Sequence, residues 1–454
     1  SKRPSFFLTR NKLDAIPDGS NDMTKKNAKS FMELVREEGV SEAELDTAVE
    51  RLLAQYGSLK KVLIIPPDYT RCYSCAGIIT QMLYRRLTAA GAVVHVMPAL
   101  GTHMPMESAE KKAFFGDVVP DDAILIHRWQ TDTVTLGYVP EEYVAEISGG
   151  LYCEQVEVEV NHLLVDGGYD RIFSVGQVVP HEVVGMANYS KNLFVGVGGR
   201  SMINKSHMLS AICGMEKALG NREAPARKLY DYAQQHFVDG RLPVTFLLTV
   251  TTVQQEQITL HGFFAGETRE AFEAACRLSQ KKNIVYLPRR AKKVVAYLNP
   301  EELKSTWVGN KGIYRTRMIV ADGGELLLLA PGLAAFGENP EADEMIRCYG
   351  YTDTETIMKL YHKGAFEGRS MCAAHLLQGV TDGRFTITYA TKPEKVSRQE
   401  VESVGYQWAD YREMCKRYDP STLTDGWHTT PDGEEFYYVS APAAGLWKCQ
   451  EAKA

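Results

Sequence analysis

Residues 61–67, KVLIIPP, and the Asp68-Tyr69-Thr70-Arg71 that follows them decide how this chain is read. A short apolar run rich in β-branched residues is a buried strand, and the polar residues after it mark the strand's carboxyl end. Residues 74–90 carry a helical rhythm, with Ile78, Ile79, Met82, Leu83 and Leu87 on one face. Residues 92–100 (AVVHVMPAL) and 123–129 (AILIHRW) predict two more strands. Strand, helix, strand in that order requires right-handed crossovers and a mainly parallel sheet. Such sheets place ligands beyond the carboxyl ends of their strands. Three polar clusters fall there: Asp68 to Arg71, Gly101-Thr102-His103, and His127-Arg128. Their common placement predicts one shared site.

Further along, residues 156–165 (VEVEVNHLLV) begin with apolar–acidic alternation and predict a half-exposed strand or ribbon. Residues 171–179 are a buried strand that runs into Pro180-His181. Residues 246–253 and 284–287 continue the sheet pattern, with a helix over 269–282 between them. Basic, turn-like residues at 288–293 make a domain boundary. Beyond it, strands are expected at 293–298, 325–330 and 385–390, and helices at 342–348, 353–362 and 369–377. Gly323-Gly324 reads as a turn ahead of a strand. The chain is therefore expected to be α/β, with two domains of mainly parallel or mixed sheets flanked by helices and an active site in the cleft between them. Residues 1–288 form the first domain and residues 289–424 close the cleft, while residues 425–454 pack back on the first.

With 454 residues, two or three domains are expected. A hydrophobic content of 44% and a charged content of 24% belong to a globular protein. The net charge of −6 argues against nucleic-acid or anionic-membrane partners, which need a positive field. No apolar run approaches a membrane span, and the basic start, SKRPSFFLTRN, lacks the apolar core of a signal peptide. Nine scattered cysteines read as reduced thiols of a cytoplasmic protein. Cys72 and Cys75 lack the partner pair of a structural zinc site and read as small residues opening a helix.

Several generic motifs fail. His181-Glu182 starts like H-E-x-x-H, but Gly185 stands where the second histidine is required. Gly196-Val197-Gly198-Gly199 lacks dinucleotide-loop spacing and reads as a glycine turn. No P-loop and no nucleophile elbow occur. What remains is a set of histidines and lysines at strand ends beside glycine or proline: His103, His181, Lys191 and His207. Histidine titrates near neutrality and serves as a general acid or base. Each alone also fits a hydrogen-bonded structural role. Lys191 lies among small residues, where burial would lower its pKa and free the amine for covalent chemistry, although a solvated lysine is the alternative.

In order and spacing, Asp68-Tyr69-Thr70-Arg71, Gly101-Thr102-His103, Pro180-His181, Lys191 and His207 resemble the lactate racemase family, the nickel-pincer nucleotide-dependent racemases and epimerases of 2-hydroxy acids. Lys191 stands ten residues after His181, and His207 sixteen after Lys191, as in that pattern. The resemblance spans roughly residues 60–400. It implies that Lys191 tethers the cofactor, a pyridinium mononucleotide with sulfur arms, through an amide-type bond. His207 would complete the nickel's donor set, a role suited to imidazole. Asp68 and Thr70 would approach the cofactor, and Arg71 would hold the substrate carboxylate with its fork of donors. His103 and His181 would be the paired acid–bases on opposite faces of the substrate. Lys311, before Gly323-Gly324, is chosen as second carboxylate anchor, with Lys304 as the fallback. Hydride would pass from C2 to the cofactor and return to the other face of a 2-keto acid.

The chain departs from the family pattern in places. Asn188-Tyr189-Ser190 replaces the glycine pair and arginine that often precede the lysine, and Cys72 stands where proline is common. Trp307 and Val308 replace polar residues, which implies a differently shaped pocket and a substrate other than lactate. The partners implied are a small 2-hydroxy acid and the proteins that make and load the cofactor. Two rival readings stay open. A nicotinamide-linked 2-hydroxyacid dehydrogenase would need a glycine fingerprint that is missing. A non-catalytic cofactor-binding homologue would load the cofactor without turnover.

Overall fold

Two six-stranded sheets organise the computed structural model, which describes residues 31–254 and 257–450. The expectation for the basic N-terminal stretch lies outside the described residues. In the first sheet the order is Met32–Val35, Gln257–Gly266, Val244–Gln254, Arg171–Gln177, Lys61–Ile65 and Val93–Val96. The last four run parallel, and Gln257–Gly266 is antiparallel to both Met32–Val35 and Val244–Gln254. The parallel pair Lys61–Ile65 and Val93–Val96 is bridged by the helix Ala76–Ala89, the crossover such a pair needs. Strand Gln257–Gly266, which the sequence reading omitted, returns beside Val244–Gln254 as the second arm of an antiparallel pair.

In the second sheet the order is Gln407–Asp410, Thr386–Thr391, Val320–Leu329, Ala291–Tyr297, Glu435–Val439 and Gly426–Thr429. All neighbours are parallel except the last pair. Gly323 and Gly324 sit inside Val320–Leu329 rather than in a turn ahead of it. Gly323 takes φ +70°, and a Cβ on Gly324 would meet the Lys292 carbonyl oxygen at 2.7 Å. The pair is a kink that lets the strand begin early against Ala291, where the register shifts.

Three local expectations are corrected. Residues 123–129 do not form a strand: Ile124 makes a single parallel bridge with Val96, after the 3-10 turn Asp121–Ala123. Strand Ile284–Leu287 leaves the first sheet and pairs in parallel with Leu446–Cys449. The C-terminal stretch divides, since Gly426–Thr429 and Glu435–Val439 join the second sheet while Leu446–Cys449 goes to Ile284–Leu287. Helices Glu42–Leu53 and Ala76–Ala89 cover one face of the first sheet; Ser41 and Glu44 start the former with a reciprocal capping box. From the other face a continuous apolar core runs from Leu63 and Ile172 to Ile313 and Leu328 beneath the second sheet. Among the described residues no helix is long and apolar enough to cross a membrane.

Candidate active site

Parallel strands that end together bring their following loops together, and here they open onto one cavity of about 160 Å³. Strand Lys61–Ile65 delivers Asp68, Thr70 and Arg71; Val93–Val96 delivers His103; Arg171–Gln177 delivers His181. Lys191, His207 and Lys311 reach the same wall, so all eight residues singled out in the sequence face one space. Lys304 is exposed and lies off that wall. His127 does not join the site. It is 3% exposed, receives a hydrogen bond from Asn161 Nδ2 at 3.0 Å, and lies 3.0 Å from the Gly198 carbonyl.

The two candidate acid–base histidines are held in opposite ways. His103 Nδ1 lies 2.6 Å from Asp68 Oδ2, and Thr70 donates to the other Asp68 oxygen at 2.5 Å. Burial alone would raise the Asp68 carboxyl, but His103 and the Thr70 hydroxyl hold it below the usual range. An ionised Asp68 fixes the proton of His103 on Nδ1 and leaves Nε2 with a free lone pair. His181 is 5% exposed, and its Nδ1 accepts from the Val183 backbone N–H at 3.1 Å. That contact places the ring proton on Nε2. Burial, with Lys191, Arg71 and Arg315 nearby, keeps His181 well below the ordinary histidine range despite the opposing Glu182.

Lys191 sits at the end of an unusual loop. Asn188 and Tyr189 both have left-handed φ, +66° and +58°, which costs a non-glycine residue strain unless its surroundings hold it. Arg227, fully buried, supplies that hold: it donates to Ser190 Oγ at 2.7 Å and to the carbonyls of Met186 at 2.7 Å and Asn188 at 3.0 Å. Its guanidinium also lies over the Phe272 ring, 4.4 Å from the centroid. Arg227→Met should cost about 3 kcal/mol, because three acceptors lose a charged donor in a buried setting. A urea titration of the full chain checks this; an unchanged midpoint would show that the loop holds its own shape.

Burial, then Arg71, lower the Lys191 ammonium to about 8. The amine fraction therefore rises through pH 8 rather than near the ordinary lysine value. At pH 7.5 about a quarter of Lys191 is uncharged, against about one in a thousand for a solvated lysine. Limiting acetic anhydride at that pH should acetylate Lys191 well ahead of surface lysines, as read by peptide mass. Labelling no faster than the surface average would contradict the assignment.

His207 lies in the helix Arg200–Cys213 with Nδ1 2.6 Å from the Ile203 carbonyl. That bond holds the proton on Nδ1 and leaves the Nε2 lone pair free, an arrangement in which a histidine can take a metal. Burial lowers its pKa to about 4, so the ring stays neutral near pH 7. Among the described residues no three His, Cys, Asp or Glu side chains converge as a metal cluster.

The second region contributes Lys311 and Arg315 from one helix, and Trp307, Tyr314 and His375. Arg315, fully buried, donates to Glu182 at 3.1 Å, while Glu182 lies 3.9 Å from His181 Nε2. Burial opposes ionisation of Glu182, yet His181, Arg315 and Lys311 hold its carboxyl far below the usual range. Burial and Arg71 lower Lys311. His375 is fixed between Tyr314 at 3.0 Å and Tyr351 at 2.7 Å, and Trp307 stacks on it at 4.3 Å. Sequence reading missed Glu182, Arg315, Arg227 and His375. Arg315 left one trace, standing four residues after Lys311 and so on the same helix face.

These features define an α/β protein with a polar cavity between two sheets, lined by Arg71, Lys191 and Lys311 as well as Asp68 and Glu182. Residues 20–220 match the family model of the lactate racemase N-terminal domain. None of the curated proteins matches the sequence. Two solved structures share the fold. A protein from Thermotoga maritima superposes with TM-score 0.81 at 24% identity, covering 92% of this chain and 100% of that one. The lactate racemase apoprotein from Thermoanaerobacterium thermosaccharolyticum gives TM-score 0.64 at 18% identity, covering 90% of this chain and 93% of that one.

Proposed function

We propose that this chain is a racemase or epimerase that inverts C2 of a 2-hydroxy acid, using a nickel-pincer nucleotide tethered to Lys191. The observation that carries the reading is the convergence of Asp68, Thr70, Arg71, His103, His181, Lys191, His207 and Lys311 on one cavity. The donor set fits such a group. Lys191 offers an amine with pKa about 8 for an amide-type bond, and His207 offers a neutral Nε2 to nickel. The described residues gather no group of three or more His, Cys, Asp or Glu side chains, so most of the donors would belong to the cofactor. When bound, the cofactor supplies an acceptor and donor of hydride.

The protein's own residues do the rest. Arg71 and Lys311 hold the substrate carboxylate, with Arg71 as the fork. His103, its Nδ1 proton held by Asp68, takes the hydroxyl proton at Nε2. His181 presents its Nε2–H to the oxygen of the 2-keto acid from the other side. Glu182 balances the charge of Arg315 beside His181. Cofactor-synthesis proteins are the partners needed for maturation. The test is to produce the chain alongside the cofactor pathway and follow single enantiomers of a 2-hydroxy acid panel by optical rotation. Loss of rotation without net reduction of NAD is expected; NAD reduction, or retained rotation for every acid, would overturn the reading.

A further inference from the structure

The two candidate acid–base histidines stand differently toward a neighbouring carboxylate. Asp68 lies 2.6 Å from His103 Nδ1 and is bonded to it. Glu182 Oε1 lies 3.9 Å from His181 Nε2, beyond hydrogen-bond range. Both side chains are largely buried, where an N–H donor and a carboxylate gain most by closing such a gap. The gap stays open because the other Glu182 oxygen, Oε2, is held by Arg315 Nη2 at 3.1 Å.

Arg315 is a costly way to hold a carboxylate. It sits one helical turn after Lys311 in the helix Lys311–Thr316, so it reaches Glu182 from the second region. Its side chain is fully buried, and Nε and Nη1 have no hydrogen-bond partner among the described residues. Arg227, buried to the same degree, bonds three acceptors. A guanidinium buried on so few bonds adds little stability, since desolvating the charge offsets what one carboxylate returns. Its effect falls on His181 instead. Lys191, Arg71 and Arg315 oppose a proton on that ring, and Glu182 favours one. Glu182 itself faces His181, Arg315 and Lys311, and its charge reaches Tyr314, His375 and His207. Released from Arg315, Glu182 would accept the His181 Nε2–H and draw it into a buried ion pair, away from the cavity.

We propose that Arg315 is a positioning residue: by binding Glu182 it withholds that carboxylate from His181 and leaves the His181 Nε2–H free for a ligand oxygen in the cavity. This rests on the reading of His181 as an acid–base group, but its test needs neither cofactor nor turnover. Imidazole nitrogen NMR spectra of the full chain would be followed against pH, with His181 assigned by the signals lost in His181→Gln. Arg315→Met should raise the proton affinity of His181 at least about 10-fold, as Glu182 closes on Nε2. Arg315→Lys, which keeps a cation for Glu182, should hold that affinity within about 3-fold of the unsubstituted chain. Glu182→Gln/Arg315→Met separates two causes. A withheld carboxylate predicts that the gain disappears, whereas mere loss of a nearby positive charge predicts that it persists. Persistence of the gain in the double variant, or no gain in Arg315→Met, would overturn the proposal. Should Arg315→Met fail to fold, Arg315→Gln, a neutral donor that fills the space, should give a gain of about 3-fold or more that Glu182→Gln again removes. Racemisation in a loaded chain whose His181 ignores Arg315→Met would remove this proposal alone. Passing the NMR test without racemising any acid would remove the racemase reading alone.

Discussion

His103→Ala in the cofactor-loaded protein is expected to lower kcat by about 10³-fold, within the range for losing a positioned general base. His103 Nδ1 is tied to Asp68 at 2.6 Å, so Nε2 is the nitrogen offered to the cavity. Asp68→Asn should reproduce much of the loss without removing the imidazole, because an amide can donate to Nδ1 and move the proton to Nε2. Nickel content should stay near one per chain in both variants, since neither residue is the proposed ligand. His207→Ala should do the reverse to nickel. Steady-state kinetics together with metal analysis separate these outcomes; more than a tenth of the activity in His103→Ala would remove it from proton transfer.

The second large effect belongs to Arg71→Leu. Arg71 lines the cavity, and its charge lowers the pKa of both Lys191 and Lys311. Losing a charge-assisted fork on the carboxylate should cost about 2–4 kcal/mol of transition-state binding, roughly a 30- to 900-fold fall in kcat/KM. A second signature follows from the sign of the coupling. Without Arg71 nearby, Lys191 should hold its proton more tightly, so its acetylation should shift to higher pH. A fall in activity with unchanged Lys191 reactivity would mean that Arg71 does not face the lysine as described.

Much of this site could be read in the sequence because its signals are local. Asp68 to Arg71, Gly101 to His103 and Pro180-His181 each follow an apolar strand by a few residues, and parallel topology then forces those ends together. Lys191 stood out by its small neighbours. The parts that escaped depend on contacts distant in sequence: Glu182 meets Arg315 across 133 positions, and Arg227 meets Ser190 across 37. Residues 123–129 illustrate the opposite failure. Their apolar pattern suits a strand, yet the preceding 3-10 turn leaves only Ile124 bridged to Val96. Gln257–Gly266 was missed although it forms an extended pair with Val244–Gln254, since its pattern of apolar and small residues fits several structures.

The mass of the peptide containing Lys191 tests most directly the proposal that this lysine carries the cofactor. After production alongside the cofactor pathway, that peptide should gain the mass of the pyridinium mononucleotide less water, with about one nickel per protein chain and no increment in Lys191→Ala. An unmodified Lys191 peptide under those conditions, with the same pathway loading a lactate racemase, would contradict the account.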